Sequence, residues 1–328
     1  MTQDTEFTVV IPLYNKARHV ARAVESVLQQ TAADLWCVVV DDASVDHGPA
    51  IVSAIKDPRI RLLARDKPGP GGYAARNAGV AAADTSWVAF LDADDHWLPN
   101  HIQVLQQLQV QFPAADILSC GWEDHRRSGE VRRCAYHRCY ADAGTHTVNL
   151  LQYLQRAADG CAPIWTSVAA VRRDLLLSVG GFPEGRCSRG GDRDTWLRLM
   201  LSGAVLAWSP HIGACYHRDS DNMVTNTIPA APDHCIRATV RGYLKQRPPK
   251  RVGSALKRLQ NAYVMDAVSQ RIRHDRLRVC DCLNLYPLVA PLRFARVLAI
   301  ALIPNAALRL ARRLGRRLKR FALQRGLS

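Results

Sequence analysis

Trp87-Val88-Ala89-Phe90-Leu91-Asp92-Ala93-Asp94-Asp95 is the stretch that decides the fold. Its five leading residues are apolar without interruption, so neither face of a strand built from them is suited to water. Such a strand belongs inside a parallel sheet covered on both sides. It then stops at three carboxylates within four positions. The same pattern occurs twice upstream. Phe7-Thr8-Val9-Val10-Ile11-Pro12 is a β-branched run halted by proline and followed by Tyr14 and Asn15. Leu35-Trp36-Cys37-Val38-Val39-Val40 ends in Asp41-Asp42.

Helical periodicity fills the gaps. His19 to Gln30 places Val20, Ala23, Val24, Val27 and Leu28 on one face. Further helical stretches begin at Ile51 and run over Ala74–Ala82 and Asn100–Gln111. Ile60–Leu63 is a short strand and Lys67–Gly72 a Gly/Pro loop. Alternating strands and helices predict an α/β fold: a mostly parallel sheet with helices on both faces. In such sheets ligands bind at the C-terminal strand ends, and here three of those ends are polar or acidic.

Residues 114–216 mix short strands with helices, including a turn at Gly180-Gly181-Phe182-Pro183 and a helix over Thr195–Ser202. After Arg218 the chain reads as helical, basic and strand-free, with a break at Pro248-Pro249. The expected organisation is a catalytic domain over 1–218 and a basic helical extension over 219–328. The net charge of +15 resides in that extension: from Arg241 onward 21 Lys and Arg face three acids, against 23 bases and 26 acids before it. A segment so basic needs an anionic partner. The polar, acidic start Met1–Glu6 has no leader character, and the 10 scattered cysteines suit a reducing, cytoplasmic setting. Neither Cys134/His137/Cys139 nor Cys280/Cys282 has the spacing of a two-pair zinc site.

Asp92-Ala93-Asp94-Asp95 carries the chemistry. Crowded carboxylates stay ionised at low cost only with a cation between them, and Mg²⁺ or Mn²⁺ prefers oxygen ligands and bridges to phosphates. The competing reading is a helix cap, with Asp95 closing a helix begun at His96-Trp97-Leu98-Pro99.

Four segments, Val9-Val10-Ile11-Pro12-Leu13-Tyr14-Asn15, Val39-Val40-Asp41-Asp42-Ala43-Ser44-Val45-Asp46, Ala75-Arg76-Asn77-Ala78-Gly79 and Phe90-Leu91-Asp92-Ala93-Asp94-Asp95, resemble the family 2 glycosyltransferases of the GT-A fold, in order and spacing, over residues 5–220. The resemblance implies an inverting, nucleotide-sugar-dependent enzyme. It implies that Pro12 and Tyr14 wall the base, with Tyr14 stacking on it, and that Asp41 accepts from uracil N3–H with Ser44 nearby. Arg76 would face the nucleotide or the diphosphate, Asp92 the ribose, and Asp94 would bind Mn²⁺ or Mg²⁺. Asp95 either assists or only caps. Gly190-Gly191-Asp192-Arg193-Asp194-Thr195-Trp196 resembles the family's acidic motif, with Asp192 the implied general base, Asp194 its alternative, and glycine where relatives carry glutamate. Either acid is also open to a helix-capping reading. Tyr216-His217-Arg218 is an altered version of a later motif, from which His217 and Arg218 are candidates for metal or phosphate contact.

The apolar stretch Leu283–Ile303 holds Arg293 and Arg296, which argues against a membrane span. Ala307, Leu310, Ala311, Leu314, Leu318 and Phe321 share a helical face with arginines around it, the pattern of an in-plane amphipathic helix. The expected partners are therefore a nucleotide-sugar donor, a glycan or lipid-linked acceptor and an anionic membrane surface, met peripherally from the cytoplasmic side. No recognition motif for nucleic acid accompanies the charge. Two rival classes remain: a sugar nucleotidyltransferase, which would want a glycine-rich phosphate loop after the first strand, and a non-catalytic membrane scaffold, which would not need Asp41, Asp92, Asp94 and Asp192 together.

Overall fold

The computed structural model describes residues 6–32, 34–218, 220, 228, 234–273 and 278–303. Ten strands form one sheet: β1 (Phe7–Leu13), β2 (Leu35–Asp41), β3 (Ile60–Ala64), β4 (Trp87–Phe90), β5 (His96–Trp97), β6 (Ile117–His125), β7 (Val131–Arg133), β8 (His146–Val148), β9 (Ala170–Arg172) and β10 (Leu206–His217). Interleaved with these are helices α1 (Val20–Leu28), α2 (Gly48–Ala54), α3 (Tyr73–Ala81), α4 (His101–Gln111), α5 (Ala135–Tyr140), α6 (Leu150–Ala158), α7 (Arg173–Ser178) and α8 (Gly191–Leu201). Beyond β10 follow α9 (Ile236–Lys245), α10 (Lys250–Arg273), α11 (Val279–Cys282) and α12 (Pro291–Leu302).

The main path of the sheet runs β3-β2-β1-β4-β9-β6-β10-β5. Its first four strands are parallel, as the apolar runs predict. The expectation of a mostly parallel sheet holds for these four and again for β6 with β10, but the sheet is not purely parallel. The three-residue β9 runs antiparallel to both β4 and β6, and β5 pairs antiparallel with β10, so the sheet is mixed. The reversal follows from chain length: β9 is too short to carry a hydrophobic signature of its own, and it enters the sheet by pairing with two strands that are already buried.

Register sets the site. Leu13 lies level with Asp41, and Val10 with Phe90, so the polar residues after β1, β2 and β4 emerge along one sheet edge. One face is covered by α1 and α4, with Val20, Ala23, Val24, Ile102, Leu105 and Leu108 in a shared core. The other face carries α3, α6 and α8. Ile236, Val240, Leu256 and Leu259, from α9 and α10, join that same core, whereas α11 and α12 pack with the later part of α10 in a smaller cluster of their own. No helix among the described residues is long and apolar enough to cross a membrane.

Two boundaries differ from the sequence reading in ways that matter for function. His96-Trp97 is a strand, and α4 begins only at His101, so Asp95 is not the cap of a helix starting at His96. The helix expected from Thr195 starts at Gly191, with Gly190 as its cap, so Asp192 and Asp194 lie within its first turn and neither is the N-cap.

Helix α3 lies so close to β1 that a Cβ at Gly79 would sit 2.4 Å from Val10 Cγ1. Alanine at a mid-helix glycine gains about 0.5–1 kcal/mol of backbone preference. Overpacking a closed core costs about 1–3 kcal/mol, which outweighs that gain. Gly79→Ala is therefore expected to lower the urea midpoint, and Val10→Ala to cost less in the Gly79→Ala background than in the wild type. A midpoint unchanged by Gly79→Ala would show that the helix can shift at no cost.

Candidate active site

The loops after β1 and β2 are tied to each other by hydrogen bonds. The Asn15 amide donates to Ser44 Oγ (3.1 Å) and the Val45 amide to Asn15 Oδ1 (2.8 Å), while Asp41 Oδ1 receives the Ser44 amide (3.1 Å). Asn15 and Ala43 both adopt left-handed backbone, at φ of 51° and 60°. For alanine this conformation stores on the order of 1–3 kcal/mol of strain, which the surrounding bonds must hold. The result is a shelf on which Pro12 is half-buried and the Tyr14 ring stands 47% exposed. Buried Asp42 is paired with Arg65 and receives the Gly69 amide (2.9 Å), which fixes the Gly/Pro loop beneath the shelf.

Arg76, in the first turn of α3, is buried and links three parts of the site. It donates to Gly71 O (2.9 Å), pairs with Asp92, and lies 5.5 Å from the centre of the Phe182 ring. Asp94 is held at the other end of the acidic cluster: Lys16 Nζ is 2.6 Å from its Oδ2, and Arg22 donates to its carbonyl (2.6 Å). Burial raises the Asp92 carboxyl above its ordinary value, against the pull of Arg76, and neighbouring Asp94 adds to the rise. Asp95 is raised well above the usual range, first by burial and then by the charges of Asp94 and Asp92. Its oxygens accept from Ser167 Oγ (2.9 Å) and from the His217 amide (3.0 Å). Asp95 therefore braces β10 and the turn at Ser167 against the cluster.

Asp192 and Asp194 separate cleanly. Asp192 stays partly exposed, with Thr166 Oγ1 at 3.4 Å from its Oδ2, and its charge reaches both Asp92 and Arg76. Asp194 has no exposure. It accepts from Arg198 Nε (2.9 Å) and from Thr239 of α9. Asp194, the alternative to Asp192 as base, is thus sealed from solvent between Arg198 and Thr239. The glycine at 191 also has a cause. A Cβ there would lie 2.6 Å from Pro183 Cγ and 2.8 Å from Tyr73 Cζ, and the Gly191 amide donates to Tyr73 OH at 2.7 Å. Glutamate does not fit at 191 in this packing.

The last two candidates are already engaged. His217 bonds His96 through the two rings (2.8 Å), and Arg218 pairs with Asp124 (2.9 Å) while lying over Tyr216. The structure thus ties Asp41 and Ser44 into one loop network with Asn15, beside Tyr14, pairs Arg76 with Asp92 next to Asp94, and sets Asp192 within charge range of that pair, while Asp194 is turned inward. Sequence reasoning missed Lys16, Arg65, Thr166 and Ser167. Lys16 and Arg65 had a signal, being the first bases after β1 and β3. Thr166 and Ser167 had none.

Comparisons with known proteins agree with this geometry. The sequence profile described as Glycosyl transferase family 2 matches residues 8–174. The succinoglycan biosynthesis protein ExoO of Rhizobium meliloti is 48% identical over 280 residues, covering 83% of this chain and 73% of ExoO. ExoW of the same organism is 37% identical over 124 residues, 36% of this chain and 37% of ExoW. Among solved structures, residues 1–349 of S. aureus TarS in complex with UDP-GlcNAc superpose with a TM-score of 0.70 at 15% identity, over 94% of this chain and 92% of that one. A profile match over half the chain, together with a relative sharing nearly half its residues across most of the length, shows that the chain belongs to glycosyl transferase family 2 and is a glycosyltransferase.

Proposed function

We propose that this enzyme moves a sugar from a UDP-linked donor to a hydroxyl of a lipid-linked or cell-surface glycan, with inversion at the anomeric carbon. The observation that carries the reading is one partly exposed carboxylate, Asp192, near enough to the Arg76–Asp92 pair for its charge to act on both. The complex of TarS with UDP-GlcNAc and the role of ExoO in succinoglycan biosynthesis support the donor and acceptor classes.

In this reading Tyr14 stacks on the uracil and Asp41 accepts its N3–H, with Ser44 keeping the loop in place. Asp92 receives the ribose hydroxyls, and Arg76 lies towards the diphosphate. Asp94, with Asp92 beside it, offers the oxygen donors that suit Mn²⁺ or Mg²⁺, and Lys16 supplies positive charge at the same carboxylate. The metal, when bound, neutralises charge on the departing diphosphate. Asp192 takes the proton of the acceptor hydroxyl as that oxygen bonds to the anomeric carbon, and the bond to the diphosphate breaks on the opposite side. The nucleotidyltransferase reading has little support, because the loop after β1 is closed by Asn15 and Ser44 where a phosphate loop would need glycine.

The same reading places the enzyme peripherally on an anionic membrane. Leu288 and Leu292 are 94% and 86% exposed beside Arg293 and Arg296, an apolar edge flanked by charge. The amphipathic pattern of Ala307–Phe321 lies outside the described residues.

Asp192→Asn should lower kcat by about 10²–10⁴-fold with an unchanged melting temperature, as removal of a general base does. Asp194→Asn should instead destabilise, by roughly 3 kcal/mol, because it breaks the pair between fully buried Asp194 and part-buried Arg198. Full turnover in Asp192→Asn, read as UDP release from a donor panel, would remove the base assignment. Asp94→Ala should abolish the Mn²⁺ dependence of UDP binding measured by calorimetry; metal-dependent binding that survives would place the ion elsewhere. For the membrane, the full chain should float with vesicles containing anionic lipid and not with neutral ones. Leu288→Glu/Leu292→Glu and a chain ending at Ile303 should each weaken that flotation, and equal flotation by all three would refute the surface assignment.

A further inference from the structure

Two cysteines and a histidine lie together outside the cleft, drawn from segments 47 residues apart. Cys187 comes from the loop that leads into α8. His234 and Cys235 stand at the start of α9, with Cys235 as its N-cap residue. One ring nitrogen of His234 and the two sulfurs all lie within 4.8 Å of one another. Cys187 Sγ is 3.7 Å from His234 Nε2, and Cys235 Sγ is 3.8 Å from His234 Nδ1. A tetrahedral zinc ion with bonds of about 2.3 Å to sulfur and 2.0 Å to nitrogen has ligand–ligand edges of roughly 3.5–3.8 Å. One such edge, Cys187 Sγ to His234 Nε2, is already in place, and the three ligand atoms all lie within 4.8 Å of one another, so a small side-chain rotation completes the set.

We propose that Cys187, His234 and Cys235 form a binding site for a soft divalent metal ion, of which Zn²⁺ is the natural occupant. Two thiolates and an imidazole select a borderline-soft ion over the hard ions that suit the carboxylates of the cleft. All three side chains are only partly buried, so solvent can supply the fourth ligand. Binding has one local cost: the Ile236 amide donates to His234 Nδ1 (3.2 Å), and that bond is given up when the metal takes Nε2 and the proton moves to Nδ1. Ile236 is the first residue of the helix and fully buried, so its amide has no intrahelical partner and this cost is set against the metal–ligand bonds formed.

The site has a structural consequence. A Cβ at Gly190 would be 3.0 Å from His234 Nε2, so the metal ligands touch the residue that caps the helix carrying Asp192. The metal would fasten the loop before the cleft's acidic helix to α9, whose Thr239 already holds Asp194. It does not depend on the donor or acceptor proposed above.

The test uses the reduced full-length protein titrated with Co²⁺, followed by displacement with Zn²⁺. The expected result is a thiolate-to-cobalt charge-transfer absorption that saturates at one equivalent and disappears on adding Zn²⁺. Cobalt bound at the acidic cluster gives no such band. Cys187→Ser and Cys235→Ser should each abolish it, while Cys139→Ser/Cys280→Ser should retain it. A second measurement on the wild type covers loss of folding in the variants: Zn²⁺ should protect Cys187 and Cys235 from alkylation, mapped by mass spectrometry. Absence of the band in reduced protein, its persistence in Cys187→Ser, or alkylation of Cys187 and Cys235 unaffected by Zn²⁺ would each overturn the proposal.

Discussion

The buried guanidinium of Arg76 is the interaction on which the cleft depends. An arginine removed from water needs its charge and its donors met, or the desolvation cost is several kcal/mol. Asp92 supplies the charge, Gly71 a carbonyl and Phe182 a ring face. Each partner belongs to a different part of the fold: the acidic strand end, the Gly/Pro loop and the turn before α8. Because one side chain joins them, these parts cannot move independently. The acidic cluster is tolerable for the same reason. Asp92, Asp94 and Asp95 repel one another, and Arg76, Lys16 and the amide of His217 divide them among separate partners.

Close packing sets the limits at the opposite wall. Tyr73 stacks near Phe182, Phe182 meets Trp196 edge-on, and the Tyr73 hydroxyl receives the Gly191 amide. Burial pushes that hydroxyl well above its ordinary pKa, so it stays protonated. This aromatic wall fills the space into which a side chain at 191 would project. The glycine there is thus a packing solution, and it leaves Asp192 as the only carboxylate of the motif that faces outward.

Much of this was legible in the sequence, for identifiable reasons. The strands β1, β2 and β4 announce themselves because burial on both faces demands unbroken apolar runs, and their polar ends mark the ligand side of a parallel sheet. The reversed β9 was not legible: three residues carry no period, and their direction is fixed by pairing with distant strands. The same holds for β5, whose two residues read as a helix start until β10 pairs with them. The inward turn of Asp194 is invisible for a different reason. Spacing on a helix says that residues 192 and 194 diverge, but only tertiary packing against Thr239 says which one is sealed. Nor does any local pattern join Cys187 to His234 and Cys235, since their nearness arises from the docking of α9.

That docking has a consequence for the order in which the enzyme is made. A ribosome delivers residues 1–218 first, and with them every group of the cleft. Yet Thr239 and the apolar side chains of Ile236 and Val240 emerge later, and they close the core over α8. Until then Asp194 lacks the hydroxyl of Thr239 as its partner. The helix that bears Asp192 therefore gains its full packing only with the arrival of the C-terminal helices.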